Sequence, residues 1–192
     1  VRVKNLIYID DVIEYPFQVK KDKRVSLKDY SFNQKLLKEY AKKFCLFGSF
    51  DNQLKTEKSK FFLARKNSLR NYNQGELIMI SKKYSFETIF LEDHTLKEQI
   101  YFLSQASFLI GPSGAAWTSL MFNNKGGIKC LSWLPEYYSE ASTYSSIAGL
   151  MGHQLNFLYV EYSGNKHDFH TEDYYIDPKY FEFNLRKLLN QT

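Results

Sequence analysis

Apolar positions along the chain follow two rhythms, short unbroken runs and stretches with every third or fourth residue apolar. Asn5–Tyr15 reads as strand-like and is closed by Pro16. From Phe32 to Phe44 the apolar residues Phe32, Leu36, Leu37, Tyr40, Ala41 and Phe44 recur at helical spacing, which predicts one buried face. Gly48–Ser59 is largely polar and reads as a connector. Beyond it the pattern becomes regular. Lys60–Ala64 is a short strand ending at Arg65. Asn73–Tyr84 is a helix with Asn73 as N-cap and Glu76 three residues on, close to a capping box. Phe86–Leu91 is a second strand, and Thr95 with Glu98 opens a helix running to about Gln105 with a full capping box. Ser107–Ile110 is a third strand, Ala115–Phe122 a helix, Ile128–Leu134 a fourth strand, Ala141–Met151 a helix and Leu155–Val160 a fifth strand. A polar loop, Ser163–Tyr175, precedes a last helix capped by Asp177 with Pro178 in its first position.

Five strands alternating with helices at short intervals predict an α/β domain with a parallel sheet and helices on both faces. Ligands in such sheets bind beyond the carboxyl ends of the strands. Arg65, Asp93, the turn at Gly111, Pro135 and Glu161 all follow strands and therefore share one rim. The Gly111-Pro112-Ser113-Gly114 turn passes at once from strand to helix, where the first backbone N–H groups lack partners and suit an anionic group such as a phosphate. A plain tight connection in an α/β core explains the turn equally well. The loop after the first of these strands carries Arg65, Lys66 and Arg70 beside a helix start, a set suited to diphosphate because arginine binds phosphate oxygens bidentately and stays charged. A solvated basic loop is the plain alternative for that string alone.

Composition bounds the function. The chain has 192 residues, 44% of them hydrophobic and 24% charged, which suits a packed domain or one domain plus part of another. A net charge of +5 favours anionic ligands or an anionic membrane surface and is too diffuse to indicate nucleic acid. Its densest basic run, Lys20–Arg24, reads as a solvated loop. Cys45 and Cys130 each lie in an apolar run, as a reduced cytoplasmic pair of small hydrophobes would, without metal-ligand spacing. His167 and His170, with Asp168 between them, look metal-like, but a polar loop is the plainer reading because no further ligand is spaced to help, so no metal is expected. Neither a membrane-spanning run nor a signal peptide is visible. The first residue is Val1 rather than Met, as expected for part of a longer protein.

The blocks FLARKNSLRNYNQGEL, YSFETIFLEDHTLKEQIYFLSQASFLIGPSGAAWTSLMF and IKCLSWLPEYY, in this order and spacing, resemble glycosyltransferase family 61 from about residue 58 to the C-terminus. That family includes bacterial capsular polysaccharide biosynthesis proteins and eukaryotic xylosyl- and N-acetylglucosaminyltransferases. The resemblance implies two facing Rossmann-like domains of GT-B type, with the nucleotide-sugar held by the C-terminal one. Residues 58–192 would then be that domain, and 1–57 a linker or the remnant of an N-terminal domain. It also implies inverting transfer to a hydroxyl of a glycan or lipid-linked glycan acceptor, usually without a metal or other cofactor. By position, Arg65 and Arg70 would contact the donor diphosphate and Asn73 would cap the helix beside them. Gly111, Ser113, Gly114 and Ala115 would place backbone N–H groups and a hydroxyl near the phosphates or sugar. Ser132 and Trp133 would lie by the ribose and base.

Two departures bear on the donor. Many members have His where this chain has Ser113 and an acidic residue where it has Ser132. The GPSGAAW and SWLP forms look more like the bacterial branch. The expectation is therefore a glycosyltransferase of bacterial capsular or lipopolysaccharide synthesis, using a UDP-linked donor in the cytoplasm, with room for peripheral contact at the inner face of the membrane. Asp93 and His94 lie on the rim, but a helix lead-in and a surface residue are their plain readings, and His153 reads as the mark of a helix end. The general base is expected from the N-terminal domain. The alternative is a non-catalytic nucleotide- or glycan-binding module, or a truncated enzyme lacking that base. A Rossmann dehydrogenase is disfavoured, since an arginine block stands where G-x-G-x-x-G would follow the Lys60–Ala64 strand.

Overall fold

The computed structural model describes residues 13–14, 31–32, 34–47, 59–66, 70–134, 143–160 and 173–190. Pro135, Glu161, the Lys20–Arg24 run, the His167–His170 cluster and the side chain of Cys45 lie outside them. Two short strands, β1 (Ile13–Glu14) and β2 (Ser31–Phe32), pair antiparallel, with Ile13 opposite Phe32. Phe32 thus belongs to a strand rather than to the start of the helix predicted from it. The helix, α1, runs from Gln34 to Phe47.

The main sheet contains β3 (Ser59–Ala64), β4 (Glu87–Phe90), β5 (Ala106–Ile110), β6 (Lys129–Leu134) and β7 (Gln154–Tyr159). All four pairings are parallel, in the spatial order β4-β3-β5-β6-β7. Helices α2 (Gln74–Lys83), α3 (Leu96–Gln105), α4 (Thr143–Met151) and α5 (Pro178–Leu189) make the connections and the C-terminal cover. The capping box of α3 is complete, Thr95 accepting from the Glu98 amide while Glu98 accepts from the Thr95 amide. Asp177 caps α5 through the Tyr180 amide at 2.6 Å.

Alternation along the strands sends side chains to two cores, as a sheet covered on both faces requires. Phe61 and Leu63 of β3, Leu109 of β5 and Cys130 of β6 pack beneath α1, α3 and α4. Phe62, Ala64, Ile110, Leu131 and Trp133 pack beneath α2 and α5. This is a Rossmann-like α/β sheet. Its order reverses between β3 and β5: from β3 the chain moves outward to β4, then returns to build β5, β6 and β7 on the other side. Such a reversal leaves a crevice beyond the carboxyl ends of the two strands, where ligands of doubly wound sheets bind.

One element differs in kind from the expectation. Ala115–Phe122 is a 3₁₀ helix of eight residues, long for that type. The Thr118 hydroxyl donates to the Ala115 carbonyl at 2.7 Å, and the Ser119 hydroxyl donates to the Ala116 carbonyl. Trp117 donates its indole N–H back to the Pro112 carbonyl at 2.9 Å. Each of these side chains bonds back to a carbonyl three or five residues earlier, tying the segment to itself and to the turn before it.

Candidate functional site

The crevice between β3 and β5 is framed by Arg65, one residue past β3, and by the turn from Gly111 to Gly114 that follows β5. Leu63 and Arg65 lie on the same face of β3, the face turned toward the 3₁₀ helix. From there the Arg65 guanidinium reaches across the crevice, and its Nη2 donates to the Ser113 carbonyl. A Cβ at Gly111 would come within 2.8 Å of the Leu63 carbonyl oxygen and 3.0 Å of its Cβ, so this glycine lets the two strand ends approach. A Cβ at Gly114 would fall on Nη2 of Arg65.

A second set of residues holds Arg65 in place. The Gln74 side-chain amide accepts from the Arg65 N–H at 2.9 Å and donates to the Arg65 carbonyl at 2.9 Å. The Tyr72 hydroxyl donates to the same Gln74 oxygen at 2.8 Å. The Tyr72 ring stacks on Tyr174, with centroids 5.3 Å apart and planes 4° from parallel. Trp133 lies beside this pair, edge-on to Tyr72 at 5.6 Å and donating its indole N–H to the Tyr174 hydroxyl at 3.0 Å.

The segment carrying Tyr174 is laid along the loop that carries Arg70. Asp173 accepts from the Asn71 amide at 2.6 Å and from its side-chain nitrogen at 3.3 Å, and the Tyr174 N–H donates to the Asn71 carbonyl at 3.0 Å. Asn73 accepts from the Ile176 N–H at 3.0 Å and donates to its carbonyl at 2.9 Å.

The electrostatics follow from this enclosure. Burial, the largest influence, draws the Arg65 pKa below its ordinary value, and the Arg70 charge acts in the same direction while Tyr174, Tyr72 and Tyr144 oppose it. A guanidinium remains charged even so. Burial likewise pushes the Tyr72 and Tyr174 phenols upward. Arg70 is close enough to act on both Arg65 and Tyr174. The site is therefore a partly desolvated Arg65 charge with the Arg70 charge near it, edged by neutral tyrosines. An anion in such surroundings is attracted more strongly than in open water.

Several sequence-based expectations are corrected by this geometry. The amides of Gly111 and Ser113 do not point into the crevice; they donate to the Leu131 and Trp133 carbonyls at 3.1 and 3.3 Å and prolong the pairing with β6. Ser113 contributes its carbonyl to Arg65. Among the described residues, the amides of Gly114 and Ala115 have no hydrogen-bond partner, as expected where a helix begins. Asn73 occupies the N-cap position of α2, but its side chain makes no capping bond. It donates to Glu76 and is otherwise committed to Ile176. Ser132 and Trp133 are enclosed, at 0% and 1% exposure, so neither offers a surface to a base or ribose. Trp133 instead supports Tyr72 and Tyr174 from within the core.

Lys66, expected beside the arginines, turns away to Asp93 at 2.6 Å, while its amide donates to Glu92 at 3.0 Å. That ion pair occupies Asp93, and His94 packs edge-on against Phe102 at 4.9 Å. His153 does mark the end of α4, its amide donating back to the Ala148 carbonyl at 2.8 Å, and it is also a buried tie, its ring set between the Leu120 and Asn123 carbonyls and the Ile128 amide. Among the described residues, no three His, Cys, Asp or Glu side chains cluster to hold a metal ion.

Tyr72, Gln74, Asp173, Tyr174 and Tyr144 were not singled out from sequence. Tyr72 and Gln74 sit inside the arginine block, and Gln74 directly follows the N-cap, a position whose side chain can turn back to the preceding loop. Nothing in the spacing ties Tyr174 to a loop about a hundred residues earlier.

No curated protein matches the chain. The sequence model of the family described as Glycosyltransferase 61 matches residues 1–130, beginning earlier and ending earlier than the blocks that carry the resemblance. That match covers more than half of the chain and includes Arg65, Arg70, Tyr72, Gln74 and the whole Gly111–Gly114 turn, whereas Trp133, Tyr144 and Tyr174 lie beyond it. With a parallel sheet reversing its order at that turn, the chain belongs to glycosyltransferase family 61 and is a glycosyltransferase.

Proposed function

We propose that this chain binds the diphosphate of a nucleotide-sugar, UDP-linked in our reading, in the crevice between β3 and β5. It would transfer the sugar with inversion to a glycan or lipid-linked glycan acceptor in the synthesis of a bacterial surface polysaccharide. The observation that carries the reading is the convergence of Arg65 and Arg70 with the Gly114–Ala115 turn at the reversal of strand order. Arg65 reaches the turn directly, and the Arg70 charge is felt at Arg65.

The chemistry follows from those groups. Breaking the bond between the anomeric carbon and the diphosphate leaves negative charge on the departing oxygens. Positive charge already fixed at that place stabilises the transition state without having to reorganise. Arg65 supplies a planar fork, Arg70 a second charge, and the Gly114 and Ala115 amides two backbone donors at the start of a helix. The neutral phenols of Tyr72 and Tyr174 limit water around Arg65, which strengthens each of these interactions.

No helix of the described residues is long and apolar enough to cross a membrane. The reading places the chain in the cytoplasm, where nucleotide-sugars are made, and at the inner face of the membrane when the acceptor is lipid-linked. Titration calorimetry with UDP, GDP and their sugar conjugates tests it, with Arg65→Ala and Arg70→Ala as controls. Binding that both variants weaken supports the reading, and a protein that binds no nucleoside diphosphate or nucleotide-sugar would refute it. A transfer assay on the same preparations separates catalysis from binding alone.

A further inference from the structure

Arg65 sits where the sheet no longer holds it. The last residue of β3 is Ala64, paired with Phe90 of β4, while on the other side the ladder with β5 ends at Phe62 opposite Ile110. Arg65 is therefore one residue past the final pairing, and its main-chain N–H and carbonyl would otherwise have to find partners in a polar loop. Both are taken by a single side chain. The carboxamide of Gln74 presents an acceptor and a donor in the arrangement of a peptide group and bonds Arg65 as a neighbouring strand would, at 2.9 Å in each direction. The Tyr72 hydroxyl fills the second lone pair of the same oxygen, which fixes which end of the amide faces which partner.

We propose that Gln74 is the positioning residue of the donor site: it extends β3 by one residue and thereby aims the Arg65 guanidinium across the crevice at the turn. The proposal rests on the donor-diphosphate reading above and adds to it the residue that sets Arg65 in place. Backbone alternation carries the argument. A residue held in strand conformation just after Ala64 must project to the face of Leu63, the face on which Gly111 and Gly114 lie. Released from Gln74, the Arg65 main chain can rotate, and the guanidinium loses its fixed direction. Gln74 touches neither Ser113 nor the Gly114 amide in any described contact, so its influence on a bound diphosphate passes through Arg65.

A double-mutant cycle tests this, read by titration calorimetry with UDP and by thermal unfolding of every variant. Gln74→Leu keeps the bulk and removes both bonds, and is expected to weaken UDP binding about tenfold, equivalent to about 1.4 kcal/mol. In an Arg65→Ala background the same substitution is expected to change the UDP dissociation constant less than about twofold, because the route it acts through is gone. Gln74→Glu keeps the acceptor for the Arg65 amide and the Tyr72 hydroxyl but sets an oxygen against the Arg65 carbonyl, and should fall between wild type and Gln74→Leu. Tyr72→Phe is the milder variant should Gln74→Leu fail to fold, and it too should weaken binding only when Arg65 is present. An equal loss in both backgrounds, or no loss from Gln74→Leu while Arg65→Ala weakens binding, overturns the positioning role and leaves the donor site standing. Unchanged UDP affinity in Arg65→Ala removes the donor-site reading, and the role of Gln74 falls with it.

Discussion

Arg65 and Ser113 lie 48 positions apart in the chain, yet the guanidinium of the first donates to the carbonyl of the second, closing the crevice between β3 and β5. The two glycines flanking this contact are small for different reasons, and substitution separates them. At Gly111 an added Cβ meets main-chain atoms of Leu63 that cannot move without disturbing the sheet. At Gly114 it meets only the far end of the Arg65 side chain, which can swing away. Gly111→Ala is expected to cost about 1–3 kcal/mol of stability, as overpacking against a fixed neighbour does. Gly114→Ala should leave the unfolding midpoint nearly unchanged and weaken UDP binding about tenfold or more. Thermal melts and calorimetry on both proteins check the split, and a destabilised Gly114→Ala with normal affinity contradicts it.

Charge alone does not explain the position of Arg65. Arg65→Lys keeps a cation, but an ammonium cannot hold the Ser113 carbonyl and two phosphate oxygens in one plane. The expected loss in UDP affinity is about tenfold for Arg65→Lys and about a hundredfold for Arg65→Ala, the size of one or two charge-assisted hydrogen bonds. If lysine restores full affinity, the planar fork contributes nothing and the site recognises charge only.

What could be read from the sequence was set by local signals. Short apolar runs punctuated by Thr95, Asp177, Pro178 and the Gly111–Gly114 turn located all five strands of the parallel sheet and most of the helices, because each such residue has a local structural consequence. The rim followed, since every loop after a parallel strand emerges on one side. Interactions between distant segments were not legible. Asn73 looks like a cap in its own neighbourhood, but Ile176 offers it two backbone bonds and turns it away. Gly111 and Ser113 look like anion-binding amides until β6 arrives to pair with them. Trp133 stands at a strand end in one dimension and inside the core in three. The winding of Ala115–Phe122 was also hidden, because its Ser, Thr and Trp anchors suit either helix type.

Two buried polar groups on adjacent residues should respond in opposite ways. Ser132 Oγ is enclosed and has no hydrogen-bond partner, so Ser132→Ala removes a desolvated hydroxyl and is expected to leave stability unchanged or raise it by up to about 1 kcal/mol. The Trp133 indole N–H is satisfied by the Tyr174 hydroxyl. Tyr174→Phe leaves that donor buried and unpaired, at a cost of about 1–3 kcal/mol. Denaturant unfolding of the two variants against wild type measures both, and a destabilised Ser132→Ala would reveal a partner for that hydroxyl.

Acid should loosen the tie at His153. The Ile128 amide donates to Nδ1 at 3.3 Å, so Nε2 carries the proton and donates to the Leu120 and Asn123 carbonyls, each at 3.1 Å. A second proton on Nδ1 would face the Ile128 N–H and lose that bond. Burial, the largest influence, lowers the His153 pKa, with the two carbonyls opposing it. The folded protein therefore resists a proton that the unfolded chain accepts near pH 6.5. By linkage the unfolded state binds more protons in this range, so the contribution is complete above about pH 6.5 and falls as pH drops toward the lower folded value. Glu98, whose pKa is held down by the Thr95 hydroxyl and amide, adds its own loss only at more acidic pH, below about 4.3. Unfolding midpoints should thus decline between pH 7 and 5.5 in the wild type and much less in His153→Gln, whose side chain does not titrate. Equal slopes for the two proteins would show that protonation of His153 has no part in acid lability.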